Sequence, residues 1–485
     1  MEVSMDRRKF MVNVGKAAAL TAAAKALPNR LFAVPEKMTL AALGDCILSR
    51  KVSALKDPQF LKIIEIIRSA DCAWANCEHP LVDISKAYPE DWGADFPIYC
   101  EPYGADELKW VGIDCVGLAN NHTRDYGHKG IFSTLEQLER VGIGYAGAGR
   151  NLDFAAKPGY VDTVAGRVGQ VNCAGSFHKG SHASMPHPYV NGRPGLNPLR
   201  SEQIYRLTDK QFDKLKKLRE ELLTLYRNET QKKTGKPEDD KTKKNEKKLD
   251  DKKQAKEDKS EKEIRFYDTK YVRGEKFGYD PAYDKKDIKR ITDNIKIAKR
   301  NSRLVIAGIH EHSGSDNGAA PTPALEDFAR ACIEAGADAF FGTGPHRLWG
   351  IEIYKKKPIF YSLGNFFFHN GGGGQYPPEL YRRFGLPFDT RDTTVLDEEV
   401  IEKYFDKACI WESIVPFITY TNGDELQEIK LYPVELGRKE PVFRQGTPAL
   451  AEKKEAGLII DNLIKLSEPY KTAIEFKKGI GTIKL

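Results

Sequence analysis

The sequence predicts an α/β protein, and three observations carry that expectation. From Arg303 to Phe368 the chain alternates apolar run, polar loop, punctuated helix, apolar run and polar loop. Five apolar runs along the chain each end in a carboxylate, an amide or an imidazole. The helices between them carry readable start and stop residues. In folds of this grammar ligands sit beyond the carboxyl ends of the strands, so the recurrence predicts one composite site.

The elements follow in order. Residues 1–33 hold Asp6-Arg7-Arg8-Lys9-Phe10, a mild apolar run and small residues towards Ala33, the pattern of a twin-arginine export signal. Thr39–Leu43 reads as a strand ending in Gly44-Asp45. Asp57-Pro58 caps a helix with the stripe Phe60, Ile63, Ile64 and Ile67. Cys72–Ala75 ends in Asn76-Cys77-Glu78. A helix near 105–111 precedes Ile113–Ala119, which runs into Asn120-Asn121-His122. A helix near 129–141 is expected to bury Ile131, Phe132, Leu135 and Leu138.

Tyr160–Val164 and Val168–Cys173 form a hairpin, and 175–200 is a loop with His178, His182 and His187. Thr208-Asp209-Lys210-Gln211 is a capping box opening a helix with the stripe Phe212, Leu215, Leu218, Leu222 and Leu225. The span 204–265 reads as this helix plus a charged insertion, which lacks periodicity and is expected to be disordered. A helix with Ile288, Ile291, Ile295 and Ala298 on one face leads into Leu304–Ile309, which ends at His310. Thr322-Pro323 opens the next helix. Ala339–Gly342 then delivers Thr343-Gly344-Pro345-His346. Ile351–Tyr354 and Ile359–Ser362 are expected to join through Lys355-Lys356-Lys357-Pro358. Beyond the Gly371–Gly374 run, residues 371–485 read as an extension packing on the same domain. It has a hairpin across Asn422-Gly423, a helix near 450–467 and a last hairpin.

Composition narrows the function. The net charge of +7 resides in two segments. Residues 1–33 have six Lys/Arg against Glu2 and Asp6, and 231–263 have thirteen Lys against ten acidic residues. The remainder is neutral on balance, which argues against a nucleic-acid surface. The twin-arginine pattern, with no other run approaching the length of a membrane span, makes the periplasm or cell envelope the expected location. Eight cysteines without a Cys-x-x-Cys pair fit neither a disulfide scaffold nor a thiolate zinc site. His79, His128 and His369 read as surface or loop residues.

Asp45, Glu78, Asn121, His122, His310 and His346, with His312 as an extra candidate, form a mixed oxygen and nitrogen set. Such a set suits one or two divalent transition metals (Mn, Fe or Zn). Two such ions about 3.5–4 Å apart can clamp an in-line displacement at phosphorus or carbonyl carbon. In that scheme Glu78 bridges, Asp45 holds one ion, and Asn121 with His310 holds the other. His122 protonates a leaving group or stabilises an oxyanion.

Gly44-Asp45, Asn76-x-Glu78, Asn120-Asn121-His122, His310, Pro345-His346 and Tyr361-Ser362-Leu363-Gly364-Asn365-Phe366, in this order, resemble the CapA family of poly-γ-glutamate capsule biosynthesis proteins. The resemblance covers about 39–200 and 284–370. It implies a metallophosphoesterase-like α/β/β/α sandwich of two sheets flanked by helices, as one domain over 39–370. It implies Asp45, Glu78, Asn121, His310 and His346 as metal ligands, with His122, Asp45 and Asn121 catalytic. It also implies an anionic polymer or peptide substrate, and membrane-bound polymer synthase subunits as partners. Many relatives carry an imidazole where this chain has Thr343, and Asp45-Cys46-Ile47 lacks the Asp-x-His of ordinary metallophosphoesterases. The expected function is metal-dependent hydrolysis or transfer on an envelope polymer; the alternative is a non-catalytic scaffold subunit. A small-molecule phosphatase is a third, weaker reading.

Overall fold

The strand Met38–Ile47 is buried along almost its whole length, because both its faces and both its edges are covered. It lies within a ten-stranded sheet. Cys72–Cys77, Cys115–Gly117 and Gly144–Ala146 follow it in parallel on one side. On the other side Glu412–Tyr420 runs antiparallel to its first half, and Asn365–Phe368 runs parallel to its end. Leu426–Glu435 and the hairpin Glu475–Lys477/Ile480–Lys484 complete that flank. This computed structural model describes residues 35–90, 97–234, 262–369 except 268, 316 and 317, and 378–484 except 388, 391–393, 422, 423 and 442. The expected export signal (1–33), the core of the Lys-rich insertion (235–261), the Gly371–Gly374 run and the expected Asn422-Gly423 turn lie outside the described residues.

A second sheet has six strands, in the order Ile351–Tyr354, Lys357–Phe360, Ala339–Thr343, Leu304–His310, Gly166–Ala174, Gly159–Thr163. Its four inner strands are parallel, and an antiparallel strand closes each edge. Leu40, Ala42 and Trp74 from the first sheet meet Val168, Ile306 and Phe341 from the second in a shared core. Alternate residues face outwards, as strand geometry requires. Leu43, Ala73 and Val116 pack under the helices Pro58–Arg68, Gly104–Val111 and Gly127–Val141. Val305, Ala307 and Phe340 pack under Lys285–Asn301 and Pro323–Glu334. The result is an α/β/β/α sandwich of two sheets flanked by helices.

The caps read from sequence act locally. The Asp57 carboxylate accepts from Gln59 and Phe60 amides, and the Thr322 hydroxyl from the Leu325 amide. Near the site the two sheets pinch together. A Cβ on Gly117 or Gly308 would lie 2.5 Å or 2.0 Å from Asn172 Oδ1, so only glycine lets both sheets close on that side chain. Asn172 in turn donates to Gln170 Oε1, which also accepts from Trp74 Nε1.

Several expectations are corrected. Phe132 is 45% exposed; Thr134 and Gly130 fill the inward face of that helix instead. Lys355-Lys356 alone turns the chain between Ile351–Tyr354 and Lys357–Phe360, with φ of 48° and 60°, the left-handed pair of a tight hairpin. His79 and His369 are buried rather than at the surface. The His79 ring bonds the Cys46 carbonyl at 2.8 Å, and the His369 ring meets Thr447 Oγ1 at 3.1 Å. Residues 201–283 include a separate four-stranded sheet. Phe212 of the helix Asp209–Thr234 packs on it with Leu207 and Ile264. The expected stripe is buried only there: Leu218, Leu222 and Leu225 are 49%, 42% and 60% exposed.

Candidate metal centre

All the parallel strands that matter deliver their carboxyl ends to one rim. Asp45 sits at a register shift in Met38–Ile47 against both of its neighbours there, a bulge that re-aims its side chain. Its carboxylate is fully buried and accepts from Asn76 Nδ2 at 2.7 Å and the Gly344 amide at 3.0 Å. Glu78 follows the next strand, and Asn120-Asn121-His122 follow the third. From the second sheet come His310, at its strand's last position, and His346, just beyond Ala339–Thr343.

These side chains converge. His310 Nδ1 lies 3.6 Å from Asp45 Oδ1, and His310 Nε2 lies 3.8 Å from Glu78 Oε1. His346 makes the same pair of approaches, 3.5 Å to Asp45 and 3.7 Å to Glu78. Asn121 Oδ1 is 2.8 Å from His310 Nε2, and His312 Nε2 is 3.0 Å from it. Two ligand sets result, Asp45/Glu78/His346 and Glu78/His310/His312, each with its candidate atoms within 4.8 Å of one another. Glu78 belongs to both. The structure thus brings Asp45, Glu78, Asn121, His310 and His346 together, as neighbours in space though far apart in the chain.

The donor chemistry fits a cation. Both Glu78 oxygens are buried and meet no hydrogen-bond donor among the described residues. Burial first, and then the Asp45 charge, pushes the Glu78 carboxyl well above the usual range. Burial acts on Asp45 in the same direction, but the His310 and His346 imidazoles outweigh it and hold Asp45 well below. The two neighbouring carboxyls are thus driven apart: the anion is favoured at Asp45 and disfavoured at Glu78, where a positive charge would relieve it. The thiols nearby do not compete. Burial pushes Cys77 up to about 12 and Cys46 well above the usual thiol range, which disfavours the thiolate that a metal needs.

A supporting layer fixes these groups. Asn120 Nδ2 donates to the Cys77 carbonyl at 2.9 Å. Asn365 Oδ1 lies 2.8 Å from His346 Nδ1 and sets that ring's tautomer. His346 adopts φ of 54°, a left-handed conformation uncommon outside glycine and typical of ligand clamps. Thr343 Oγ1 sits 3.1 Å from His310 Nδ1, so the residue that stands where an imidazole was expected orients the His310 ring instead. His122, 13% exposed, has its Nδ1 2.7 Å from Asp125 Oδ2. Asp125 is the partner that sequence reasoning missed; its signal was the His-x-x-Asp spacing on one turn. His312, two residues beyond His310, was legible only as an extra candidate.

A two-sheet α/β sandwich with carboxylates, amides and imidazoles gathered at its strand ends defines a metallophosphoesterase-like protein. The chain belongs to the family described as bacterial capsule synthesis protein PGA_cap, whose family model matches residues 39–370. It is 32% identical over 466 residues to the uncharacterized proteins y4sH and y4uA of Sinorhizobium fredii (strain NBRC 101917 / NGR234), covering 93% of this chain and 94% of each. It is 24% identical over 341 residues to the capsule biosynthesis protein CapA of Bacillus anthracis, covering 69% of this chain and 61% of that protein. Among the described residues no helix is long and apolar enough to cross a membrane.

Proposed function

We propose that the protein is an exported, metal-dependent hydrolase or transferase acting on an anionic envelope polymer of the poly-γ-glutamate kind. The observation that carries this reading is the Glu78 carboxylate, buried without a donor and shared by two ligand sets. A buried carboxylate that no hydrogen bond satisfies among the described residues is costly unless a cation meets it. Asp45, Glu78, Asn121, His310 and His346 would hold one or two divalent ions, with His312 supplying the imidazole that Thr343 does not. Such an ion supplies Lewis-acid polarisation of a carbonyl or phosphoryl oxygen.

The chain's own residues do the rest. Asp125 holds His122 Nδ1, which leaves His122 Nε2 to carry a proton to a leaving group. His346, clamped by Asn365 and its left-handed backbone, keeps its ring beside both carboxylates. The polymer class comes from the relatives: one is named capsule biosynthesis protein CapA, and a Bacillus subtilis relative is named PGA biosynthesis protein CapA. Membrane-bound synthase subunits are the partners that such a role requires. Export rests on the twin-arginine pattern at Arg7-Arg8.

The test is metal content of protein purified without chelator, joined to a cleavage assay on poly-γ-glutamate. One or two equivalents of metal, with cleavage lost in His310→Ala and Asn121→Ala, supports the reading. Metal-free protein that binds the polymer without cleaving it rejects it. That outcome favours a scaffold subunit, the alternative to which Thr343 at an expected imidazole position points.

A further inference from the structure

Glu311 is a buried carboxylate that the proposed chemistry leaves unused, and it stands in the chain between two imidazoles of the rim, His310 and His312. His312 is the one exposed member of the two ligand sets. Its Nε2 lies 3.0 Å from His310 Nε2, and its ring meets those of His310 and His346 edge-on. An exposed side chain keeps its rotamer freedom, and ordering it for a ligand costs free energy unless its backbone is already fixed.

That backbone is fixed through Glu311. The His312 amide donates to Ser176 Oγ at 2.9 Å. A serine hydroxyl has one proton to give, and Ser176 gives it to Glu311 Oε1. The same oxygen accepts from the Ser313 amide at 2.8 Å, and Glu311 Oε2 accepts from the Tyr283 hydroxyl at 3.0 Å. The Glu311 amide donates to the Thr343 carbonyl at 2.9 Å. One carboxylate thus joins three segments: Ser176 beyond the strand Gly166–Ala174, Tyr283 at the end of the segment that holds the separate four-stranded sheet, and the loop that carries His312.

We propose that Glu311 is a positioning residue for the metal centre, holding the His312 backbone through Ser176 so that His312 Nε2 completes the ligand set with Glu78 and His310. This rests on the metal-dependent reading of the site. It explains how an imidazole on an exposed loop can stand in for the one absent at Thr343.

Calorimetric titration of the full-length, chelator-stripped chain with Zn²⁺ tests this in a double-mutant cycle. Glu311→Gln and Ser176→Ala should each weaken zinc binding, the first by about tenfold, the size expected when the support of a ligand is lost. In the His312→Ala background neither substitution should weaken it further, because the imidazole they position is gone. Should Glu311→Gln fail to fold, Ser176→Ala carries the cycle alone. A zinc affinity that both substitutions leave unchanged overturns the inference but not the metal centre. So does a loss that is equal with and without His312, the mark of a merely structural role. A wild type that binds no zinc overturns the inference together with the metal-dependent reading.

Discussion

Two carboxylates, Asp287 and Glu78, are equally buried and opposite in their surroundings. Asp287, on the outer face of the second sheet, accepts from the Arg200 amide at 3.0 Å and from two Arg200 guanidinium nitrogens at 2.7 Å each, and it also bonds Arg290. Burial pushes its carboxyl up, yet the two arginines hold it below the usual aspartate value. Glu78 meets no hydrogen-bond donor among the described residues and is pushed up. A buried charge with all its partners supplied by the chain is structural. One that meets only two imidazoles, at 3.7 and 3.8 Å and beyond hydrogen-bond reach, is suited to a ligand's positive charge.

The contrast can be broken at its structural end first. Asp287→Ala leaves two arginines without their carboxylate and should cost about 3 kcal/mol in denaturant unfolding, the low end for a broken buried pair because Arg200 is half exposed. The pH dependence follows in sign. Because the folded-state pKa of Asp287 is depressed, its contribution is complete above about pH 4 and is lost as pH falls below that value. The variant's stability should therefore converge on that of the wild type in acid. Next, Mn²⁺ or Zn²⁺ at one hundred times its Kd should stabilise the wild type by about 2.7 kcal/mol, and chelator should reverse this. In Glu78→Gln the metal increment should vanish; an undiminished increment would place the ion elsewhere. His312→Ala should weaken metal binding about tenfold by titration calorimetry, roughly 1.4 kcal/mol. The smallest effect sharpens the comparison most: in chelator, Glu78→Gln should change stability by less than about 1 kcal/mol, since burial and the Asp45 charge already disfavour the anion that the substitution removes.

Much of the rim was legible because a side chain at the end of a buried strand has few places to go. Asp45, Glu78, Asn121, His310 and His346 each follow an apolar run, and parallel strands align such ends. Asp125 was not legible, since its role depends on a turn that only the folded loop defines. Thr343 was read as a missing imidazole; sequence could not say that its hydroxyl would reach His310. The helix stripes show the complementary limit. Periodicity reports that a face is apolar but not what covers it, which is why Phe132 and Leu225 lie open while Phe212 does not. The turn at Lys355–Pro358 was legible but its two-residue length was not, because lysine carries no preference for the left-handed backbone that Lys355 and Lys356 adopt.

The position of Glu412–Tyr420 beside Met38–Ile47 sets a schedule for the ribosome. The amino-terminal strand of the larger sheet is made early, and the strand that pairs along its first half emerges only after more than four-fifths of the chain. Until then the backbone from Met38 to Ala41 offers an open edge, the kind of surface that invites wrong pairings. Nascent chains stalled ahead of Glu412 should therefore stay sensitive to protease and bound by chaperones, however complete their other strands.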